Sequence, residues 1–211
     1  MKTAIIGSGS VGAALANSLS QAGHQVVFAA RNLASESLQQ ALSGNTSLSA
    51  KPPPVACGAA DAIFLATPYT AVGEAIRSAG DLSGKVLVDC TNPIGPGFIL
   101  LFGPDNSGGE EVARLAPAAH VVKAFNAYGY ENFANTRYPG YGDLRPIMFL
   151  CGNDSGAKAV VASLATDLGF RPFDSGDITI SRYLEGAAML WIKIARVTGK
   201  GAGFTWALLE R

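Results

Sequence analysis

The sequence predicts an α/β fold: a doubly wound, mostly parallel sheet with a short C-terminal helical extension. Two observations carry the prediction. Short apolar runs of strand length alternate with helix-length segments through the first 180 residues, and that alternation builds a parallel sheet covered by helices on both faces. A glycine-rich turn, Gly7-Ser8-Gly9-Ser10-Val11-Gly12, directly follows the first apolar run and opens the first helical segment. Right-handed crossovers then lead to a Rossmann-type arrangement.

Residues 3–7 read as a fully buried strand and residues 10–21 as a helix stopped by Gly23. Residues 25–29 form the second strand and 33–42 a modest helix. Residues 43–54 are polar and end in three prolines, Pro52, Pro53 and Pro54, which a central strand does not tolerate. Strand 61–66, helix 70–79 and strand 85–89 follow. Residues 91–109 are rich in glycine and proline and read as a long loop before a short helix, 110–115. Strand 121–125 leads into an aromatic, polar loop, 126–144. Strand 146–151, helix 154–168 and strand 170–173 complete the alternation.

Residues 181–198 differ in being clearly amphipathic. Leu184, Ala187, Ala188, Trp191, Ile194 and Ala195 share one face at helical spacing, and Arg182, Glu185, Lys193 and Arg196 share the other. The apolar face needs a partner: the sheet's own core, a second subunit, or a flat ligand. The expected organisation is therefore a dinucleotide-binding domain over 1–180 and a helical extension over 181–211 that completes the site or a dimer interface.

Composition removes several classes. Of the 211 residues, 48% are hydrophobic and 15% charged, which suits one buried core. Net charge is zero and the basic residues are scattered, so no nucleic-acid partner is expected. No apolar run approaches the ~18 residues of a membrane span. The first strand begins too early for a signal peptide, and Cys57, Cys90 and Cys151 are isolated. The expectation is a cytoplasmic protein with reduced, buried thiols. His24 and His120 stand alone at the amino ends of strands, and no cysteine cluster accompanies them, so no metal site is expected. No G-x-S-x-G elbow follows a strand.

The glycine turn is the chemical feature with most content. Gly7 permits the sharp turn, Gly9 leaves the backbone bare to a pyrophosphate, and Gly12 lets helix and sheet approach. The N–H groups of Ser10 and Val11 then face the phosphates at the positive end of the helix. The end of the second strand reads Ala30-Arg31-Asn32. An NAD site would place a carboxylate there for the ribose 2′-hydroxyl. Here Arg31 offers a guanidinium fork and Asn32 further donors to a 2′-phosphate, which favours NADP(H). Arg31 also fits as a solvated charge starting the next helix.

Two more strand ends carry short polar segments, Thr67-Pro68-Tyr69 and Cys90-Thr91-Asn92-Pro93. Ligands bind beyond the carboxyl ends of strands, which puts Thr67, Pro68, Tyr69, Asn92 and Pro93 against the cofactor. The prolines also serve simply to end strands. No acid–base dyad is evident. Lys123, near the carboxyl end of its strand, is either a proton donor to a carbonyl or a salt-bridged structural lysine. Tyr128, Tyr130, Tyr138 and Tyr141 either stack on a flat ring or cover the sheet.

Together the glycine turn, Ala30-Arg31-Asn32, Ala66-Thr67-Pro68, the segments 88–93 and 122–126, Cys151-Gly152-Asn153-Asp154, Asp174-Ser175-Gly176 and Ser181-Arg182 resemble the NADP oxidoreductases dependent on coenzyme F420, an 8-hydroxy-5-deazaflavin. The resemblance runs through about nine tenths of the chain, and the wider group includes the NADPH domains of the STEAP metalloreductases, which use flavin. It implies an NADP-binding fold, hydride exchange with coenzyme F420 or with FMN or FAD, and a homodimer. By position it implies that Ser10, Val11 and Arg31 hold phosphates and that Thr67, Pro68 and Asn92 line the cofactor. Asn126, Ala127 and Tyr128 would face the nicotinamide and the second cofactor, which makes Asn126 a catalytic candidate beside the Lys123 read from its place on the strand.

Two other readings stand beside hydride exchange between cofactors. One is an NADPH-dependent reductase of a small carbonyl or imine, with a partner subunit closing the site. The other is a non-enzymatic NADP(H)-binding module, to which the missing acid–base pair points.

Overall fold

The computed structural model describes all 211 residues. β1 (Lys2–Ile6) leads into α1 (Ser10–Gln21), β2 (Gln25–Ala29) into α2 (Glu36–Gly44), and β3 (Ser49–Lys51) into α3 (Pro53–Gly58). β4 (Ala62–Leu65) precedes a 3₁₀ turn, Tyr69–Ala71, and α4 (Val72–Ser78). After β5 (Val86–Asp89) comes a small hairpin, β6 (Ile94–Gly95) and β7 (Ile99–Leu100), then α5 (Gly108–Leu115). β8 (His120–Lys123) is followed by a loop with a 3₁₀ turn at Tyr130–Asn132. β9 (Ile147–Gly152), α6 (Ser155–Asp167) and β10 (Arg171–Asp174) complete the sheet. α7 (Ser181–Ile192) continues into a π-helical turn, Lys193–Val197.

The eight-stranded sheet runs β10-β9-β8-β5-β4-β1-β2-β3. Winding starts at β1 and proceeds outward both ways, so the strand order reverses between β1 and β4 and opens a crevice at their carboxyl ends. The one antiparallel neighbour pair is β8 with β9, Val122 facing Gly152. No helix interrupts the 124–146 connection to return the chain to the amino end of the sheet. β9 therefore re-enters from the carboxyl end, antiparallel to β8.

Strand alternation splits the interior into two cores. Ile5, Phe28, Phe64, Val88 and Val122 point to the face covered by α1, α6 and α7. Ala4, Ile63, Leu65, Leu87 and Val121 point to the face covered by α3, α4 and α5. Trp191 and Ala195 lie in the first core, and α7 packs against α5 and the β6–β7 hairpin. No helix is long and apolar enough to cross a membrane. All three cysteines are free and buried. Burial pushes the Cys57 thiol up to about 11 and the Cys151 thiol to about 12, and holds Cys90 well above its ordinary value.

The structure corrects four local expectations. Residues 43–54 are not one irregular stretch: Ser49–Lys51 adds an edge strand to β2. Pro53 and Pro54 open α3, where their missing N–H groups cost nothing. The 91–109 loop contains the β6–β7 hairpin, each arm of two residues, too short to show an alternation. The helix expected to start at 33 starts at Glu36. Glu185, placed on the polar face of the last helix, is 2% exposed, because it has an ion-pair partner inside.

Candidate active site

The chain leaves β1 through Gly7, whose φ is +111°. A Cβ there would run into the Ala66 carbonyl oxygen, and a Cβ on Gly12 would run into the Gly7 carbonyl oxygen. Both glycines are required by the protein's packing on itself. Gly9 is different: a Cβ there would meet nothing within 4 Å. The open space lies over the amino end of α1, where Gly9 caps the helix without a side-chain bond. The N–H groups of Ser10 and Val11 there have no intrahelical acceptor. A phosphate-sized anion fits such a cradle.

A cleft of about 300 Å³ extends from this turn to the end of β2. Gly7, Ala30, Arg31, Asn32 and Thr67 line it, with Ser35 at the start of α2. Asn32 is fixed by its side-chain oxygen, which accepts from the Ala34 N–H at 2.9 Å. Arg31 reaches across the cleft to Glu74 of α4. Both side chains are more than half exposed, so the pair contributes little and an incoming phosphate displaces Glu74 at small cost. The Thr67 hydroxyl oxygen is buried without a partner, an acceptor or donor that a ligand in the cleft would satisfy. Arg31→Ala is therefore expected to weaken NADP binding by roughly 1.5–3 kcal/mol and leave NAD nearly unchanged. Isothermal titration with both nucleotides checks this, and equal losses for the two would displace Arg31 from the 2′-phosphate.

A second cavity, of about 410 Å³, lies on the other side of α1's first turn. Val11, Asn92, Asn126, Phe98 and Trp191 form its walls. Two backbone carbonyls fix its amides. The Asn92 amide nitrogen donates to the Asn126 main-chain oxygen at 2.9 Å, which turns its own oxygen toward the Asn126 side chain. The Asn126 nitrogen donates to that oxygen at 3.0 Å and to the Leu184 carbonyl at 3.4 Å. The Asn126 side-chain oxygen is left buried with no partner. Phe98 and Phe125 are the two non-glycine residues with positive φ, +55° and +59°, and both line this cavity. Backbone strain of this kind concentrates at ligand sites.

Tyr128 borders the cavity, but its ring packs among Phe133 and Phe170 and its hydroxyl donates to the Ile147 carbonyl at 3.2 Å. Burial keeps that hydroxyl well above its ordinary value. Of the other loop tyrosines only Tyr130 reaches the cavity; Tyr138 donates to Asn132 and Tyr141 is exposed.

Lys123 is not a proton donor facing the ligand. Its ammonium is wholly buried, 2.9 Å from Asp89 and 2.9 Å from Glu185, and donates to the Thr91 carbonyl at 2.7 Å. Burial alone would lower its pKa, but the two carboxylates overcome that and hold it at about 12. Glu185 in turn accepts from the Gly108 and Gly109 N–H groups at the amino end of α5, at 3.0 and 2.9 Å. Asp89 accepts from the Thr91 N–H and hydroxyl, at 2.9 and 2.7 Å. The lysine thus ties α7 and α5 to the β5 loop that carries Asn92.

Pro68, Tyr69, Pro93 and Ala127 line neither space. Tyr69 and Pro93 pack toward the start of α5, where a Cβ on Gly108 would meet both. Ala127 is buried and accepts from the Trp206 indole N–H at 3.2 Å. The sequence reading missed Phe98, Arg196 and Glu185. Only Glu185 left a signal: a lysine in a central strand needs a buried carboxylate.

Residues 2–93 match the protein family described as NADP oxidoreductase, coenzyme F420-dependent. The chain is 31% identical to a solved protein of Arthrobacter sp. FB24, provisionally named an F420-dependent NADP-reductase. That match covers 100% of both chains with a TM-score of 0.90. It is also 31% identical over 194 residues to the metalloreductase STEAP3 of Rattus norvegicus, covering 87% of this chain and 36% of that protein. This chain therefore spans about a third of that relative. A reductive aminase of Aspergillus terreus, solved with NADPH and ethyl-5-oxohexanoate, shares the fold. It has 20% identity, a TM-score of 0.68 and coverage of 94% of this chain and 63% of that one.

Proposed function

Since this chain belongs to the family of coenzyme F420-dependent NADP oxidoreductases, we propose that it moves a hydride between NADP(H) and a flat-ring partner, coenzyme F420 or a flavin. The carrying observation is the second cavity. Its lining is aromatic and aliphatic, with two amides, one arginine, one thiol and two tyrosines, and includes no carboxylate, histidine or lysine. The Tyr128 hydroxyl and the Cys90 thiol are spent on the Ile147 and Val88 carbonyls, which leaves Tyr130 at the rim as the one free hydroxyl. Reduction of a carbonyl needs a proton donor at the oxygen. Exchange between two rings needs only that they lie close, oriented and dry. With Lys123 sealed behind the cavity, the second requirement is the one these residues meet.

When bound, the dihydronicotinamide supplies the hydride. The chain's own groups divide the remaining work. The bare backbone at Gly9 and the N–H groups of Ser10 and Val11 receive the pyrophosphate, and Arg31 and Asn32 receive the 2′-phosphate. The Asn92–Asn126 pair presents one unpaired oxygen, suited to an N–H donor such as a carboxamide. Phe98, Val11 and Trp191 exclude water.

The test offers NADPH together with coenzyme F420, FMN, FAD, or a set of small carbonyls and imines. Oxidation of NADPH with a ring partner is expected. Turnover with carbonyls or imines alone would assign the chain to that chemistry. Tight NADPH binding with no oxidant accepted would leave a binding module.

A further inference from the structure

The π-helical turn after α7 places two cations at the mouth of the second cavity. Arg196 lines the cavity, its guanidinium carbon 5.8 Å from the centre of the Trp191 ring. Lys193, three residues earlier, holds its ammonium 5.9 Å from the centre of the Phe98 ring and 3.4 Å from the Gly97 carbonyl. Trp191 and Phe98 are both cavity walls, so each cation stands on an aromatic face that a bound ring would also meet. π-Helical turns recur at functional sites, and this one directs both long side chains to one opening.

The charge at that opening is unbalanced. Arg196 pairs with Glu131, both side chains partly exposed, while Lys193 rests on the Gly97 carbonyl and the Phe98 ring, with no ion pair of its own. Two cations against one carboxylate leave a net positive mouth on a chain whose total charge is zero. The Arg196–Glu131 pair also repeats the arrangement of Arg31 with Glu74, a guanidinium resting on an exposed carboxylate beside a ligand space. Exposed pairs of this type are exchanged cheaply, whereas a guanidinium takes a phosphate or carboxylate bidentately.

We infer that Arg196 and Lys193 bind an anionic arm carried by the ring substrate, a phosphate or phosphodiester tethered to the flat ring. The inference rests on the ring-partner reading above and sharpens it: a ring without such an arm is a poor ligand. The two flat-ring classes supply matched pairs that differ only in the arm. FMN is riboflavin with a phosphate, and coenzyme F420 is its parent deazariboflavin with a phosphodiester chain.

The experiment titrates all four compounds into NADP-loaded protein at low salt, following their fluorescence. In at least one pair the compound with the anionic arm is expected to bind about tenfold more tightly, and added salt is expected to erode the difference. In Lys193→Gln/Arg196→Gln the ratio is expected to fall toward one with NADP affinity unchanged, which also shows the variant is folded. Equal affinity within both pairs, or a ratio that survives the double substitution, overturns the inference and leaves the ring-partner reading standing. Binding of none of the four overturns both.

Discussion

Lys123→Met is expected to cost about 3–5 kcal/mol of folding stability, the loss seen when one member of a buried ion pair is removed. At this chain length that lowers the melting temperature by roughly 10 °C. Methionine fills the space of the aliphatic stem but leaves Asp89 and Glu185 charged, buried and facing each other across the vacated ammonium. Each carboxylate keeps its backbone donors, which is why complete collapse is not expected. Adding Asp89→Asn and Glu185→Gln removes the uncompensated charge and should recover much of the loss. Thermal melts of the single and triple variants check this. An unchanged melting temperature in Lys123→Met would mean that the ammonium is not sealed from water. Because the lysine bridges α7, α5 and the β5 loop, the single variant should also lose ring-ligand binding before it loses NADP.

Gly9→Val is expected to abolish high-affinity NADP binding, by about a hundredfold or roughly 2.8 kcal/mol, without lowering the melting temperature. The space over Gly9 is open to a Cβ, and its φ of −72° suits any residue, so the substitution disturbs the fold little. The branched side chain would instead occupy the approach of the pyrophosphate. Gly12→Ala should do the reverse. Its Cβ runs into the Gly7 carbonyl, and overpacking at such a contact costs about 1–3 kcal/mol of stability. Calorimetric titration beside thermal melts separates the two. A Gly9→Val protein that binds NADP normally would remove the pyrophosphate from the amino end of α1.

The contrast between these two glycines shows what the sequence could and could not reveal. The first βαβ unit is legible almost residue by residue, since β1, α1 and β2 are punctuated by Gly7 and Gly23 and their apolar periods are long enough to read. β3 and the β6–β7 hairpin were invisible because strands of two or three residues carry no period. The direction of β9 depends on where a 23-residue connection leads, which no local pattern encodes. At the site, Gly7, Arg31 and Asn32 could be found together because they lie within 25 positions of one another in a known unit. Phe98 and Arg196 meet only through tertiary packing. Glu185 was misread because a carboxylate at helical spacing with arginines is normally a solvated charge; the unread clue was a lysine with no water.

The complete burial of Cys57 and Cys151 makes the native protein its own reporter of global opening. A thiolate is the reactive form, and with Cys57 and Cys151 wholly buried and pushed upward in pKa, alkylating reagents near neutral pH find almost none of these two while the chain is folded, whereas Cys90 borders the second cavity. Modification then proceeds at the frequency with which the fold opens, and counting adducts by mass reads that frequency without any engineered probe.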